Sequence, residues 1–75
     1  MSKLPGVRSR EVVRIAQSLG FVFDRQRGSH AVYYRSSDRR RIVIPMHGSK
    51  DLKQGTLRGI IMDMGITPEE FAKLL

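Results

Sequence analysis

The chain has 75 residues, a length that suits one small domain and excludes a deep, multi-layered active site. It contains no cysteine, so disulfides, a thiolate nucleophile and Cys-based zinc sites are excluded, and the cytosol is the expected compartment. Fourteen Lys and Arg against seven Asp and Glu give a net charge of +7 and a pI near 10.9, a field that favours polyanions and nucleic acid above all.

The first residues, MSKLPGV, hold no apolar run long enough for a signal-peptide core, and no segment approaches the roughly 20 apolar residues of a membrane span. From Arg10 to Leu19 the residues Val12, Ile15, Ala16 and Leu19 fall at i, i+3, i+4 and i+7, which predicts an amphipathic helix with Ser9 as N-cap and Gly20 in the left-handed position past its end. Three β-rich runs follow, Phe21 to Gln26, His30 to Arg35 and Arg41 to Ile44, joined by Arg27-Gly28-Ser29 and by Ser36 to Arg40. Connections this short allow only antiparallel hairpins. Ile42 and Ile44 alternate with Val43 and define a buried face. Val32, Tyr33 and Tyr34 are consecutive, so the inward face of the second strand stays open.

Pro45 ends the third strand, because it has no N–H to donate, and Met46 to Gln54 reads as a loop. Leu57, Ile60, Ile61 and Met64 repeat the helical spacing, with Gly65 as cap. In ITPEEF, Thr67 is an N-cap, Pro68 the first helical residue and Glu70 the partner in a capping box, while Ile66 and Phe71 are spaced as a hydrophobic staple. A short last helix over Pro68 to Leu75 is expected. The order α-β-β-β-α-α gives an α+β fold: three antiparallel strands, helices on one face and the other face wet.

The charge is clustered. Arg25, Arg27, Arg35, Arg39, Arg40 and Arg41 lie on the hairpins with Asp38 among them, which reads either as a phosphate-contacting surface or as a solvated edge kept unpaired by charge. Lys50 and Lys53 precede the second helix, whose free N–H groups around Gln54, Gly55 and Thr56 offer an anion site or a plain capping turn. His30 follows the Gly28-Ser29 turn at the mouth of a strand. An imidazole takes and gives protons near neutrality. With no thiol and a phosphate-seeking surface, the chemistry within reach is RNA cleavage by the ribose 2′-OH: a base takes its proton, an acid protonates the leaving 5′-oxygen, and Arg or Lys steadies the phosphate, without cofactor or metal. The plainer reading of His30 is a partly exposed strand residue. His47, after Pro45-Met46, reads more readily as a loop histidine.

The runs GF at Gly20-Phe21, RQRGSH at Arg25 to His30, IPMH at Ile44 to His47, and LKQGTLRGI with MGIT between Leu52 and Thr67 together resemble the HicA (YcfA-like) toxins, in order and across nearly the whole chain. The resemblance implies one HicA-like domain over residues 1–75, with an α-β-β-β-α fold like that of double-stranded-RNA-binding domains, to which the capping box after Ile66 adds the short extra C-terminal helix. It also implies an mRNA endoribonuclease, the toxin of a type II toxin–antitoxin pair neutralised by a HicB-like antitoxin. The family's catalytic histidine matches His30 through GSH, with Gly28 and Ser29 as the turn that presents it. Arg25, Arg27, Arg35, Arg39, Arg40, Arg41, His47, Lys50 and Lys53 are the expected RNA-binding set. Two positions depart from the family pattern. Asp38 is followed by Arg39 where glycine is common, and Gln54 stands where proline often precedes the Gly-Thr of the second helix. The alternative of another class is a silent RNA-binding module that grips RNA through the hairpins and the N-terminus of the second helix.

Overall fold

The computed structural model describes residues 4–75; Met1, Ser2 and Lys3, the start of the segment read above for a leader, lie outside the described residues. The elements run α1 (Ser9–Ser18), β1 (Val22–Arg27), β2 (His30–Arg35), β3 (Arg40–Pro45), α2 (Gln54–Met64) and α3 (Pro68–Leu74). This is the expected α-β-β-β-α-α order. The strands form one antiparallel sheet in the order β1-β2-β3, so β2 is central.

The core lies between the helices and one face of the sheet. Val12, Ile15 and Ala16 of α1, Leu57, Ile60, Ile61 and Met64 of α2, and Phe71 of α3 are buried with Ala31, Tyr33, Ile42 and Ile44 from the strands. Ala31 pairs with Ile44 and Tyr33 with Ile42, and side chains alternate across a strand. The inward face of β2, open in the sequence, is therefore that of Ala31 and Tyr33. His30, Val32 and Tyr34 take the opposite face. On β1, Phe23 stands opposite Tyr33 with the rings edge to face at 5.7 Å. A register shift between Phe23 and Arg25 then displaces the rest of the strand, as a bulge does.

Ser9 corrects the expected cap. It is the first helical residue, with Arg8 as N-cap, and the Arg8 N–H donates to the Glu11 carboxylate at 3.1 Å. The buried Ser9 hydroxyl donates instead to the Pro45 carbonyl and accepts from the His47 N–H at 3.2 Å. It thus fixes the end of β3 and the start of the following loop against α1. The expected features at the other helix ends are present: Gly20 has φ +91 and Gly65 φ +84, and Thr67 and Glu70 form the capping box. Leu4 and Val7, which carry no periodicity, join the core. Val7 accepts from the Leu52 N–H at 2.8 Å, and Arg8 bridges Asp51.

Candidate nucleic-acid interface

His30 is set by two local features. The turn before it is reduced to Gly28 and Ser29, with Gly28 at φ +57, a conformation that glycine adopts without a Cβ clash. The Gln26 side-chain amide donates to the Gly28 carbonyl at 3.0 Å and steadies that turn. His30 then opens the central strand, opposite Arg27 on β1 and Pro45 on β3. The Met46 N–H donates to the Ser29 carbonyl at 2.7 Å and ties the end of β3 to the same turn. The imidazole is held at a fixed corner of the sheet, exposed, on the face away from the helices.

That face carries a groove of about 390 Å³ lined by Arg25, Arg27, His30, Val32, Arg41 and Val43. Three guanidinium-bearing side chains and one imidazole surround two valines, and none of these described lining residues is acidic. Arg25 also lies 3.7 Å from Asp24, both partly exposed, a pairing that water weakens. The valine floor carries no charge or motif that marks it in the sequence, although the parity of Val43 with respect to Ile42 and Ile44 places it on this face.

A second groove, of about 440 Å³, is lined by Pro45, His47, Lys50, Asp51, Leu52, Lys53 and Thr56. The two grooves meet at the His30–Pro45 pair. The loop between them is braced by the Lys50 N–H donating to the His47 carbonyl at 3.1 Å, with Gly48 at φ +52, and by Ser9 on the His47 N–H. Lys53 is the N-cap of α2 and gives it no side-chain cap. The first N–H groups of α2 are therefore left for solvent or an anion at the end where the helix dipole is positive. Asp51 is drawn toward Arg8, 3.9 Å away.

Two residues of the expected RNA-binding set face elsewhere. Arg35 and Arg40 are a cross-strand pair of the same parity as Tyr33 and Ile42, and both turn toward the helix ends. Arg35 donates to the Leu19 carbonyl at 2.7 Å and the Met64 carbonyl at 3.2 Å, closing the C-termini of α1 and α2, and its guanidinium lies 4.4 Å from the centre of the Phe21 ring. It also donates twice to Asp38, at 3.0 and 2.8 Å. Arg40 donates to Asp38 at 3.1 Å and to the Asp63 carbonyl at 3.4 Å. The Asp38 carboxyl is lowered to about 2, chiefly by the Arg35 hydrogen bond with Arg40 adding to it, and the Arg35 guanidinium is raised. Arg39 sits between them in the turn with φ +60, a left-handed conformation that glycine adopts more readily, and it is exposed.

The face with His30 therefore collects Arg25, Arg27 and Arg41; a neighbouring groove collects His47, Lys50 and Lys53; and Arg35 and Arg40 belong to the far end of the sheet. Among the described residues no three His, Cys, Asp or Glu side chains converge as a metal site would require, and no helix is long and apolar enough to cross a membrane.

A family model for the HicA toxin of bacterial toxin–antitoxin systems matches residues 9–66, from the first helix through α2 to the residue before Thr67. The chain belongs to the HicA toxin family. That family is known for mRNA interferases, and a toxin of such a pair implies an antitoxin partner. No curated protein matches the chain. The matched segment contains the GSH turn, both grooves and the arginines at the helix ends.

Proposed function

We propose that this HicA protein is the toxin of a type II pair, one HicA-like domain over residues 1–75 that cuts mRNA in the cytoplasm as a metal-independent endoribonuclease with His30 as its proton-transfer residue. One observation carries the reading: His30 stands exposed at the mouth of the central strand in a groove with Arg25, Arg27 and Arg41 and no acidic neighbour among the described lining residues.

The neutral imidazole takes the proton of a ribose 2′-OH, and the 2′-oxygen attacks the adjacent phosphorus. As the bond to the 5′-oxygen breaks, the imidazolium returns that proton to the leaving oxygen. The products are a 2′,3′-cyclic phosphate and a 5′-hydroxyl, and His30 ends neutral as it began. Charge on the equatorial phosphate oxygens grows during attack, and Arg25, Arg27 and Arg41 meet it with fixed positive charge. His47, Lys50, Lys53 and the uncapped N-terminus of α2 hold a flanking phosphate, and Arg39 extends the basic path along the hairpin. A HicB-like antitoxin covers the His30 face.

The test is an mRNA digest with and without EDTA, followed by analysis of the ends and a parallel digest of 2′-deoxy-substituted RNA. Cleavage that survives EDTA, leaves cyclic ends and spares the deoxy substrate is expected. Loss of activity in EDTA with recovery on adding Mg²⁺, or equal cutting of the deoxy substrate, would count against the mechanism. The groove offers a single imidazole for two proton transfers, which keeps the silent RNA-binding module as a second reading. That reading expects tight binding and intact RNA from the parent chain.

A further inference from the structure

The open face of the sheet carries more apolar surface than a grip on phosphates requires. Val32 is 5% exposed although it points away from the helices and stands outside the main core, Val43 beside it is 43% exposed, and Val22 is 62% exposed. Tyr34 shares their face. It is partly exposed, its cross-strand neighbours are Val22 and Arg41, and the Arg41 guanidinium lies 6.0 Å from the ring centre. A solvated antiparallel face is ordinarily kept polar. Here an aromatic ring and valines run down its middle with arginines on either side.

That arrangement matches one chemistry, a flat apolar base joined to an anionic backbone. A duplex presents phosphates and groove edges while its bases stay stacked inside, whereas an unpaired strand offers the face of each base. Tyr34 stands four residues along β2 from His30, about 13 Å at roughly 3.3 Å per residue, so a base on its ring belongs to a nucleotide near the cut and not to the cut itself. Arg41 lines the His30 groove and also lies over the Tyr34 ring, so one guanidinium links the basic path to the aromatic platform.

We propose that Tyr34 is a stacking platform for an unpaired base beside the scissile phosphate, and that it makes single-stranded RNA the substrate of this chain. The proposal rests on the reading that RNA enters the His30 face. Val22 and Val43 flank the stacked base, and Arg25, Arg27 and Arg41 follow its phosphates.

The experiment measures binding of the full chain to 2′-O-methyl RNA, which lacks the attacking hydroxyl and stays intact. One series is a single strand in which one nucleotide at a time is made abasic; the comparison is a hairpin duplex of the same composition. The expected result is preference for the single strand and a loss of roughly ten-fold at one abasic position, the order of one stacked base. That loss vanishes in Tyr34→Ala and persists in Tyr34→Phe, while melting temperatures show that both variants fold. A flat abasic series, equal or tighter binding of the duplex, or an unchanged abasic effect in Tyr34→Ala would overturn the proposal. So would Tyr34-dependent capture of a poly-glutamate peptide that RNA does not displace, which would assign the platform to an acidic protein. Cleavage of ordinary RNA with a flat abasic series removes the platform and leaves the RNase reading. A position-specific abasic effect in a chain that cuts nothing does the reverse.

Discussion

Asp38 accepts hydrogen bonds from Arg35 and Arg40, the two arginines that reach the helix ends, and its carboxyl titrates at about 2 instead of 3.8. A value lowered on folding stabilises the native state above the ordinary carboxylate range and loses that effect as the pH falls from about 3.8 through about 2. Thermal melts should therefore place Asp38→Asn below the parent at pH 7 and bring the two together toward pH 2. A gap that stays constant over that range would show that the carboxylate charge is not its source. His30 calls for the opposite behaviour. Its side chain lies in an open groove and not in the core, so His30→Ala should keep the melting temperature and most RNA affinity while cleavage falls by at least the 10²- to 10⁴-fold typical of a lost acid–base group. His47→Ala is the comparison. Its backbone N–H, held by Ser9, survives the change, so the expected effect is a modest loss of RNA affinity, read by titration. Parental cleavage in His30→Ala with loss in His47→Ala would reassign the proton-transfer residue.

Strand parity separates arginines that composition alone groups together. Arg40 shares the parity of Ile42 and Ile44, which face the core, while Arg41 shares that of Val43. Arg40→Gln should therefore lower the melting temperature and leave the salt dependence of RNA binding unchanged. Arg41→Gln should do the reverse, reducing the salt slope by about one phosphate contact. Arg35→Gln loses bonds to the ends of both α1 and α2 and should cost about 1–3 kcal/mol of stability by denaturant titration. Equal salt slopes for the Arg40 and Arg41 variants would undo the distinction. The alternation of Ile42, Val43 and Ile44 carries Arg41 outward, but with the strand expected to begin at Arg41 the parity does not reach Arg40, which becomes readable only because β3 starts one residue earlier and pairs it with Arg35. Arg35 was not readable either, because Val32, Tyr33 and Tyr34 are apolar on both faces and only the register with β3 resolves them. Helical spacing in α1 and α2, the glycines after them and the Thr67 capping box were legible because each is a local pattern with a local cause. Leu4, Val7 and the tertiary role of Ser9 were hidden, since an extended segment docked on residues 51–52 leaves no period to read. His30 and its turn were legible as a motif. The company it keeps, Arg25, Arg27 and Arg41 over a valine floor, depends on which face each strand turns outward.

Across the whole molecule the charges are unevenly placed along the strands. At the end where β2 begins and β3 finishes stand Arg27, His30, His47, Lys50, Lys53 and the positive end of the α2 dipole. Of the carboxylates near them, Asp24 and Asp51 lie against Arg25 and Arg8, and Glu11 accepts from the Arg8 N–H. At the other end Asp38 is held by Arg35 and Arg40, and Asp63, Glu69 and Glu70 belong to the last turns of α2 and to α3. With a net charge of +7 and Arg25, Arg27 and Arg41 gathered around His30, a negatively charged partner is drawn to that open face before contact. The antitoxin that family membership implies meets the same field as the RNA. An acidic antitoxin surface would be captured fast and would cover His30 in one step. Its association rate, followed by stopped flow, should fall steeply as salt rises while the dissociation rate changes much less. Arg41→Glu should slow association, because it reverses a charge on the capturing face. Glu69→Gln, at the far end, should leave it nearly unchanged. An association rate indifferent to salt would remove steering, and a complex that blocks cleavage while His30, Arg27 and Arg41 stay open to solvent would show that the antitoxin works by reshaping the toxin and not by covering it.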